Sequence, residues 1–556
     1  MKLNYCPIAI FLFFMVIGIP QKVCAQSGSV QSIQMNVDEE NQAITGFGAS
    51  LAYYENWLTA HPNRAEIYDV IFKELSLDIL RVRNTFGYDN EMINHVKQFV
   101  SAAESSLGHP VDVMVTSWGP PGYLKSNNDK DNGGTLKYTV NDGVVEFDYA
   151  GFAQWWNASL DDYNANGIFP KYISIQNEPD WAAGYESCLL RPSEVVNAAD
   201  TLAGYNKALD AVYDTVQKRA DRPFFLGPEC IGIGYNAVEN YVNALDLSKL
   251  YGIGHHLYHG AESGTVEDDP FTSSNYAKVG NFRPNIPHFQ TEYSRTGWFP
   301  LAGMIYQSLV QESVTAFLYW DLIWENGGLV ALHFPWDRSR WTNAYGYHCT
   351  KDFYVFKHYS RFIHPGWKRI GTTGDNEQLK TAAFISSTGD SAAFIAINRS
   401  EHDTFNIRLQ VPDFRINEAT TYSTNENSSF VTFDYLKDTL LQVLPRSLNT
   451  VDLRLSVVNS GILVPASRSS FSEVAVFPNP FSRDARIRFV ANEGEDYLLE
   501  VFDITGKQLS KRKLGSFSAG KQHVEISRSG FEAGTYFLRL TNSAGQAAQG
   551  KFVVID

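Results

Sequence analysis

Tyr172-Ile173-Ser174-Ile175-Gln176-Asn177-Glu178-Pro179-Asp180-Trp181 is the stretch whose reading decides the fold. Apolar and β-favouring residues lead into a polar cluster, and Pro179 forbids the chain from extending a ladder, so the stretch reads as a buried strand that ends on Asn177 and Glu178. His288-Phe289-Gln290-Thr291-Glu292-Tyr293-Ser294 has the same form. Two acids at the ends of two separate strands are what cleavage of a glycosidic bond requires.

Working outward, short apolar runs alternate with helical periodicity from residue 44 to 321. The runs lie near Ile44-Ser50, Ile79-Asn84, Val111-Gly119, Tyr172-Pro179, Phe224-Glu229, Gly252-His259, His288-Tyr293 and Ala316-Asp321. Helical patterns occupy Asn63-Leu75, Met92-Ala103, Tyr149-Asn166, Ser193-Arg219 and Leu301-Ser313, while Gly260 to Arg283 shows no clear helix. This alternation predicts an α/β fold, a (β/α)8 TIM barrel, with its chemistry on the loops that follow the strand ends. Residues two apart on a strand share a face, which pairs Gln176 with Glu178, Gln290 with Glu292, His256 with Tyr258 and Arg81 with Arg83.

The flanks read differently. Short alternating strands from about 366 to 457 predict a side antiparallel β-sandwich, and residues 26–43 offer it an N-terminal strand. Residues 458–473, rich in Ser and turn formers, read as a linker, and 474–556 as a separate C-terminal β-sandwich. The barrel is then 44–365. Residues 1–25, with Lys2, an apolar run from Ile8 to Ile19 and a Val23-Cys24-Ala25 close, read as a signal peptide. No later run is long enough to span a bilayer, so no membrane span is expected.

The 556 residues carry a formal charge of −15, which argues against nucleic acid as a partner. Past the leader only Cys188, Cys230 and Cys349 remain, too few for a disulfide framework; a Cys188–Cys230 bridge between neighbouring strand ends is the one pairing considered. His255, His256 and His259 resemble metal ligands, but alternation puts the first two on opposite faces. No metal and no cofactor is therefore expected, and His256 is assigned a hydrogen-bonding role.

Glycoside cleavage needs one group to protonate the departing oxygen and another to capture the oxocarbenium-like carbon. Glu178, between an amide and a proline on an apolar strand, is the candidate acid, and Glu292 the candidate nucleophile, kept ionised by Arg81 or Arg83 at the end of the second strand. Trp57 and Trp181, in the loops after the first and fourth strands, are candidate sugar platforms.

On these residues the chain resembles the barrel glycosidases with the acid/base on strand 4 and the nucleophile on strand 7, and more narrowly glycoside hydrolase family 30. The matching stretches are Gly46-Phe47-Gly48-Ala49-Ser50, Leu80-Arg81-Val82-Arg83-Asn84, Ser117-Trp118-Gly119-Pro120-Pro121-Gly122-Tyr123-Leu124-Lys125, Ile175-Gln176-Asn177-Glu178-Pro179, His256-Leu257-Tyr258 and Thr291-Glu292. The resemblance implies a retaining double displacement with Glu178 as acid/base and Glu292 as nucleophile. It further implies Asn177 on the sugar hydroxyl beside the reacting carbon, and Trp118, Tyr258 and Trp320 as walls and floor. The Asn127-Asn128-Asp129-Lys130 and Gly133-Gly134-Thr135-Leu136-Lys137 context is most similar to bacterial xylanase members, which implies β-1,4-xylan or glucuronoxylan as substrate and a monomer. Alternatives are a β-1,6-glucanase, a β-glucosidase, or a non-catalytic polysaccharide-binding protein.

There is one departure. Glucuronoxylan-specific members carry an Ile-Arg-Arg step after strand 8, where this chain reads Trp320-Asp321-Leu322-Ile323-Trp324-Glu325; Arg338 and Arg340 follow only in a longer loop. Residues 474–556, with Pro478-Asn479-Pro480, an Asp503-Ile504-Thr505-Gly506-Lys507 turn and Gly534-Thr535-Tyr536-Phe537-Leu538, resemble C-terminal sorting domains of the type IX secretion system. That implies the secretion machinery as partner and a secreted or surface-attached product.

Overall fold

Eight strands close into a parallel barrel in the computed structural model. The structure describes residues 30–258, 266–294, 296–333, 346–434, 440–458, 474–477, 479–504, 506–544 and 546–555. The leader, His259, Arg338, Arg340 and the linker from 459 to 473 fall outside them. Barrel strands 1 to 8 are Gly46–Leu51, Ile79–Arg83, Asp112–Thr116, Tyr172–Ser174, Phe224–Cys230, Gly252–His256, His288–Glu292 and Ala316–Tyr319, with strand 8 pairing back onto strand 1. Each of the eight anticipated runs contains one of these strands or most of it, as the α/β reading requires.

The lower barrel is filled by Ile79, Met114, Tyr172, Leu226, Phe289, Ala316 and Leu318. This packed layer closes the bottom, and the polar side chains of the next layer face the open end. Gly48 is required where strands 1 and 2 approach: a Cβ there would lie 2.4 Å from the Ile79 carbonyl oxygen.

Two helical readings change. The anticipated helix Ser193-Arg219 is helical only over Tyr205–Val216. Ahead of it, Val195–Val196 and Thr201–Leu202 form a small hairpin, because the Asn197 side-chain oxygen accepts from the Ala199 and Asp200 amides and turns the chain. Conversely, the stretch without a clear helix contains Ser274–Asn281, whose N-terminus is capped by the Ser273 hydroxyl accepting from Asn275.

Alternation along strands also fails at two places. In strand 7, Gln290 and Glu292 stand opposite consecutive residues His255 and His256, so Thr291 is an extra residue; in strand 5, Glu229 is extra between Pro228 and Cys230. Such bulges re-aim side chains at barrel rims. The predicted pairing of Gln290 with Glu292 on one face therefore does not hold as simple alternation.

Val30–Ala43 runs antiparallel to Lys368–Thr372 and parallel to Phe405–Gln410, so the side sheet is antiparallel except at that one pair. Its core includes Ile33, Met35, Phe394, Leu409, Val451 and Leu453. Residues up to Val458 form one compact unit and those from Asn459 another. The second unit has a three-stranded and a four-stranded sheet with a core of its own, including Phe489, Tyr497, Leu540 and Phe552. No helix of the described residues is long and apolar enough to cross a membrane. Cys188 and Cys230 are free thiols, not a bridge; Cys188 is buried near the Lys125 amine and Cys230 near Asp180.

Candidate active site

Strand 2 supplies the centre of the site. Arg81 is fully buried and donates from Nη1 to Glu292 Oε2 at 2.7 Å and to Ser50 Oγ at 3.2 Å, and from Nη2 to Asn177 Oδ1 at 2.6 Å. Its Nη2 also lies 3.2 Å from Glu229 Oε1, and its guanidinium sits 4.3 Å over the Trp118 ring. A guanidinium can only donate, so the Asn177 atom facing it is the carbonyl oxygen, and the amide NH2 is left to donate elsewhere.

The two alternatives for the cation beside Glu292 are thereby separated. Arg81 holds that carboxylate, while Arg83, one turn of the pleat further along, is bound 3.1 Å from Glu55 and 3.1 Å from Glu186, under the Tyr53 ring. Arg83 orders the rim of the bowl; its charge is already matched.

Glu178 and Glu292 are each 5% exposed. His256 Nδ1 lies 2.9 Å from Glu178 Oε1, and the Tyr258 hydroxyl donates to Glu292 Oε1 at 3.0 Å. One oxygen of Glu178, one oxygen of Glu292 and a ring nitrogen of His256 all lie within 4.8 Å of one another. The acids in the loop after strand 4 and at the end of strand 7 thus share one small volume. His255, on the outer face, bonds Glu312 instead, so the two histidines are divided as alternation predicts.

Electrostatics follow from burial among paired charges. Burial alone would pull the His256 imidazole down, but Glu292, Glu178 and Glu229 around it hold it up at about 10, so it is an imidazolium at neutral pH. Burial raises the Glu292 carboxyl above the usual range; His256 and Arg81 oppose that, and the charge of Glu178 adds to it. The sequence reading of Glu292 as a carboxylate kept ionised by its cation omitted this burial penalty.

Aromatic rings build the wall. Trp118, 2% exposed, lies 5.6 Å from Trp320, which in turn lies 6.0 Å from Tyr53 and 6.1 Å from Trp324. Tyr53 and Trp324 escaped the sequence reading because they come from two different loops. Trp57 is half-buried against the barrel core, and Trp181, exposed, donates its backbone N–H to the Glu178 carbonyl oxygen. Gln176 donates to the Trp118 carbonyl at 2.6 Å and so ties strand 4 to the Trp118 loop.

That loop is anchored by a buried cation. Lys125 Nζ donates to the carbonyls of Lys130 at 3.0 Å, Asp131 at 3.2 Å and Ser187 at 2.5 Å, linking the loops after strands 3 and 4. Lys125→Met strands three carbonyls without a donor and is expected to destabilise the fold by about 1–3 kcal/mol. A urea midpoint equal to that of the parent would contradict this.

Glu229, read in the sequence only as the end of the fifth run, is a third buried acid of the site. Its only signal is Gly227-Pro228-Glu229, an apolar run closing on an acid in the manner of strand 4.

Comparison with known proteins adds three findings. Residues 475–555 match the family model of the secretion system C-terminal sorting domain, which marks the chain for secretion or surface attachment. The chain is 24% identical over 401 residues to a glucuronoxylanase from Bacillus subtilis, covering 67% of this chain and 82% of that protein. Among solved structures, it resembles the catalytic domain of a family 30 xylanase from Talaromyces cellulolyticus, with a TM-score of 0.61 and 20% identity over 76% of this chain and all of that one. An endo-β-1,6-glucanase structure is also similar, with a TM-score of 0.56 and 15% identity over 77% of this chain and 96% of that one.

Proposed function

From the premise of a glycoside hydrolase that resembles the family 30 xylanases and ends in a secretion sorting domain, we propose that the chain cleaves β-1,4-xylan or its glucuronate-bearing form with retention of anomeric configuration. The observation that carries this is the closeness of Glu178 and Glu292, an oxygen of each lying within 4.8 Å. Retaining enzymes hold their carboxyls about 5–5.5 Å apart, whereas inverting ones leave about 6.5–9.5 Å for a water.

Arg81 contacts Glu292 directly and favours its ionised form, which gives Glu292 the nucleophile's role and Glu178 that of the acid. Glu178 then protonates the departing oxygen while Glu292 attacks the anomeric carbon. The bond to the leaving group breaks and an ester to Glu292 forms. In the second half Glu178, now a carboxylate, takes a proton from water, which displaces Glu292. Asn177, its amide turned by Arg81, donates to the neighbouring sugar hydroxyl, and Trp118 and Trp320 face the ring.

The test is the product profile from defined xylo-oligosaccharides, with and without a glucuronate branch, beside β-1,6-glucan. The anomer first released is read by NMR. Release of the β-anomer from xylo-oligosaccharides supports the reading. Cleavage of β-1,6-glucan alone moves the substrate, and release of the α-anomer removes the double displacement.

A further inference from the structure

The reaction above uses two carboxylates, and the barrel buries a third beside them. Glu229 is fully buried, 3.2 Å from Arg81 Nη2 and 3.9 Å from His256 Nε2. His256 Nε2 has no hydrogen-bond partner, and it stands equally far, 3.9 Å, from Glu292 Oε2. Glu229 is also the extra residue of the strand 5 bulge, with φ +57°. Glu178, in the loop past the Ser174 end of the neighbouring strand 4, has φ +42°, and its N–H donates to the Glu229 carbonyl oxygen at 3.0 Å. A left-handed backbone at a residue with a side chain is strained and persists where its surroundings enforce it, most often at functional sites. Strand 5 and the loop after its neighbour, strand 4, thus each hold a glutamate in the same strained conformation, and the backbone of one is bonded to the other.

We infer that Glu229 is a positioning residue of the reaction, which holds Arg81 against Glu292 and, through His256, orders the side of the site that faces Glu178. The inference rests on the two-carboxylate reading and deepens it. Before attack, Arg81 and His256 carry two positive charges, Glu229 and Glu292 two negative ones, and Glu178 is neutral. When Glu178 gives up its proton and Glu292 becomes an ester, the negative charge passes from Glu292 to Glu178 and the sum stays at zero. Water reverses the transfer. Glu229 is the carboxylate whose charge does not change across the cycle.

Burial pushes the Glu229 carboxyl up, but Arg81 and His256 outweigh burial and hold it down at about 2, so it stays ionised through the working range. The other groups that interact electrostatically with this cluster are Asp180, Tyr205, Tyr258, Cys230 and Asp321, the last through Glu292. Burial leaves Asp180 at about 6 and raises the Tyr205 and Cys230 protons well above neutral.

The sign of the effect follows. Removing the Glu229 charge leaves the cluster one unit more positive, which eases loss of the proton from His256. The alkaline limb of activity must then move to lower pH.

The experiment measures kcat and KM against pH for the full chain, Glu229→Gln and Glu229→Asp, on the oligosaccharide the parent cleaves. For Glu229→Gln we expect kcat to fall about 100-fold, KM to stay near the parent value, and the alkaline limb to drop by about 1–3 pH units. Glu229→Asp keeps the charge but shortens the reach, so kcat falls with the limb in place. An unmoved limb in Glu229→Gln, or equal losses in both variants without a shift, overturns the inference. If Glu229→Gln does not fold, Glu229→Asp decides: a lower kcat per folded molecule with KM held supports it, and an unchanged kcat overturns it. A parent that cleaves no glycan is a different result, the failure of the functional reading itself.

Discussion

Glu292→Ala is expected to lower kcat/KM by at least about 10⁴-fold, the scale seen when a nucleophile that works as part of a unit is removed. The fold should tolerate the change. Arg81 keeps Glu229 at 3.2 Å and Asn177 at 2.6 Å, so no buried cation is left alone. Substrate should still bind, because the Trp118 and Trp320 rings and the Asn177 amide remain. A small anion such as azide fits the space vacated by the carboxylate and should restore turnover as a glycosyl azide of the opposite anomeric configuration. Calorimetry and rate measurements on one preparation separate the cases: binding without turnover supports the assignment, and undiminished turnover removes Glu292 as the nucleophile.

Arg81→Met should have the largest effect on stability. The side chain is of similar length and packs in the same volume, but it leaves Glu229 and Glu292 as buried anions with one cation, His256, between them, at 3.9 Å from each. Breaking a buried charge pair by removing one partner costs about 3–5 kcal/mol. Activity should fall as well. Glu292 loses the cation that opposes its protonation, and Asn177 loses the donor that turns its amide toward the sugar. Urea unfolding at neutral pH measures the first effect. A midpoint within error of the parent would mean that the contacts of Arg81 contribute nothing net.

His256 is the expected hydrogen-bond donor to Glu178 once that residue has ionised, keeping its own proton, and the arrangement explains why the histidine is buried without an apolar role. Its Nδ1 has one partner, Glu178, and its Nε2 has two more distant ones of equal charge. An imidazolium suits that setting better than either neutral tautomer.

Much of this was legible in the chain itself. Strand 7 is punctuated so sharply by Tyr293-Ser294 that Glu292 could be placed at its end; strand 4 instead stops at Ser174, short of the Asn177-Glu178 end that Pro179 suggested, and Glu178 follows in the loop. Eight apolar runs separated by helical periods specify a parallel barrel, and a barrel brings all strand ends to one face. Hydrophobic period and turn chemistry are local properties, and they also separated the C-terminal sandwich from the rest.

The remainder depended on contacts between distant strands. Arg81 and Arg83 are equivalent in sequence, and only the positions of Glu292, Glu55 and Glu186 across the bowl assign one to the nucleophile and the other to the rim. Glu229 and Glu292 are aimed by bulges, which insert one residue against a neighbouring strand and so cannot be detected from the period of a single strand. The Tyr53 and Trp324 wall joins loops some 270 residues apart. Sequence alone determined which runs form the barrel strands, because backbone periodicity is set by near neighbours; the tertiary structure decided which charges meet, because ion pairing depends on distances that only the closed barrel fixes.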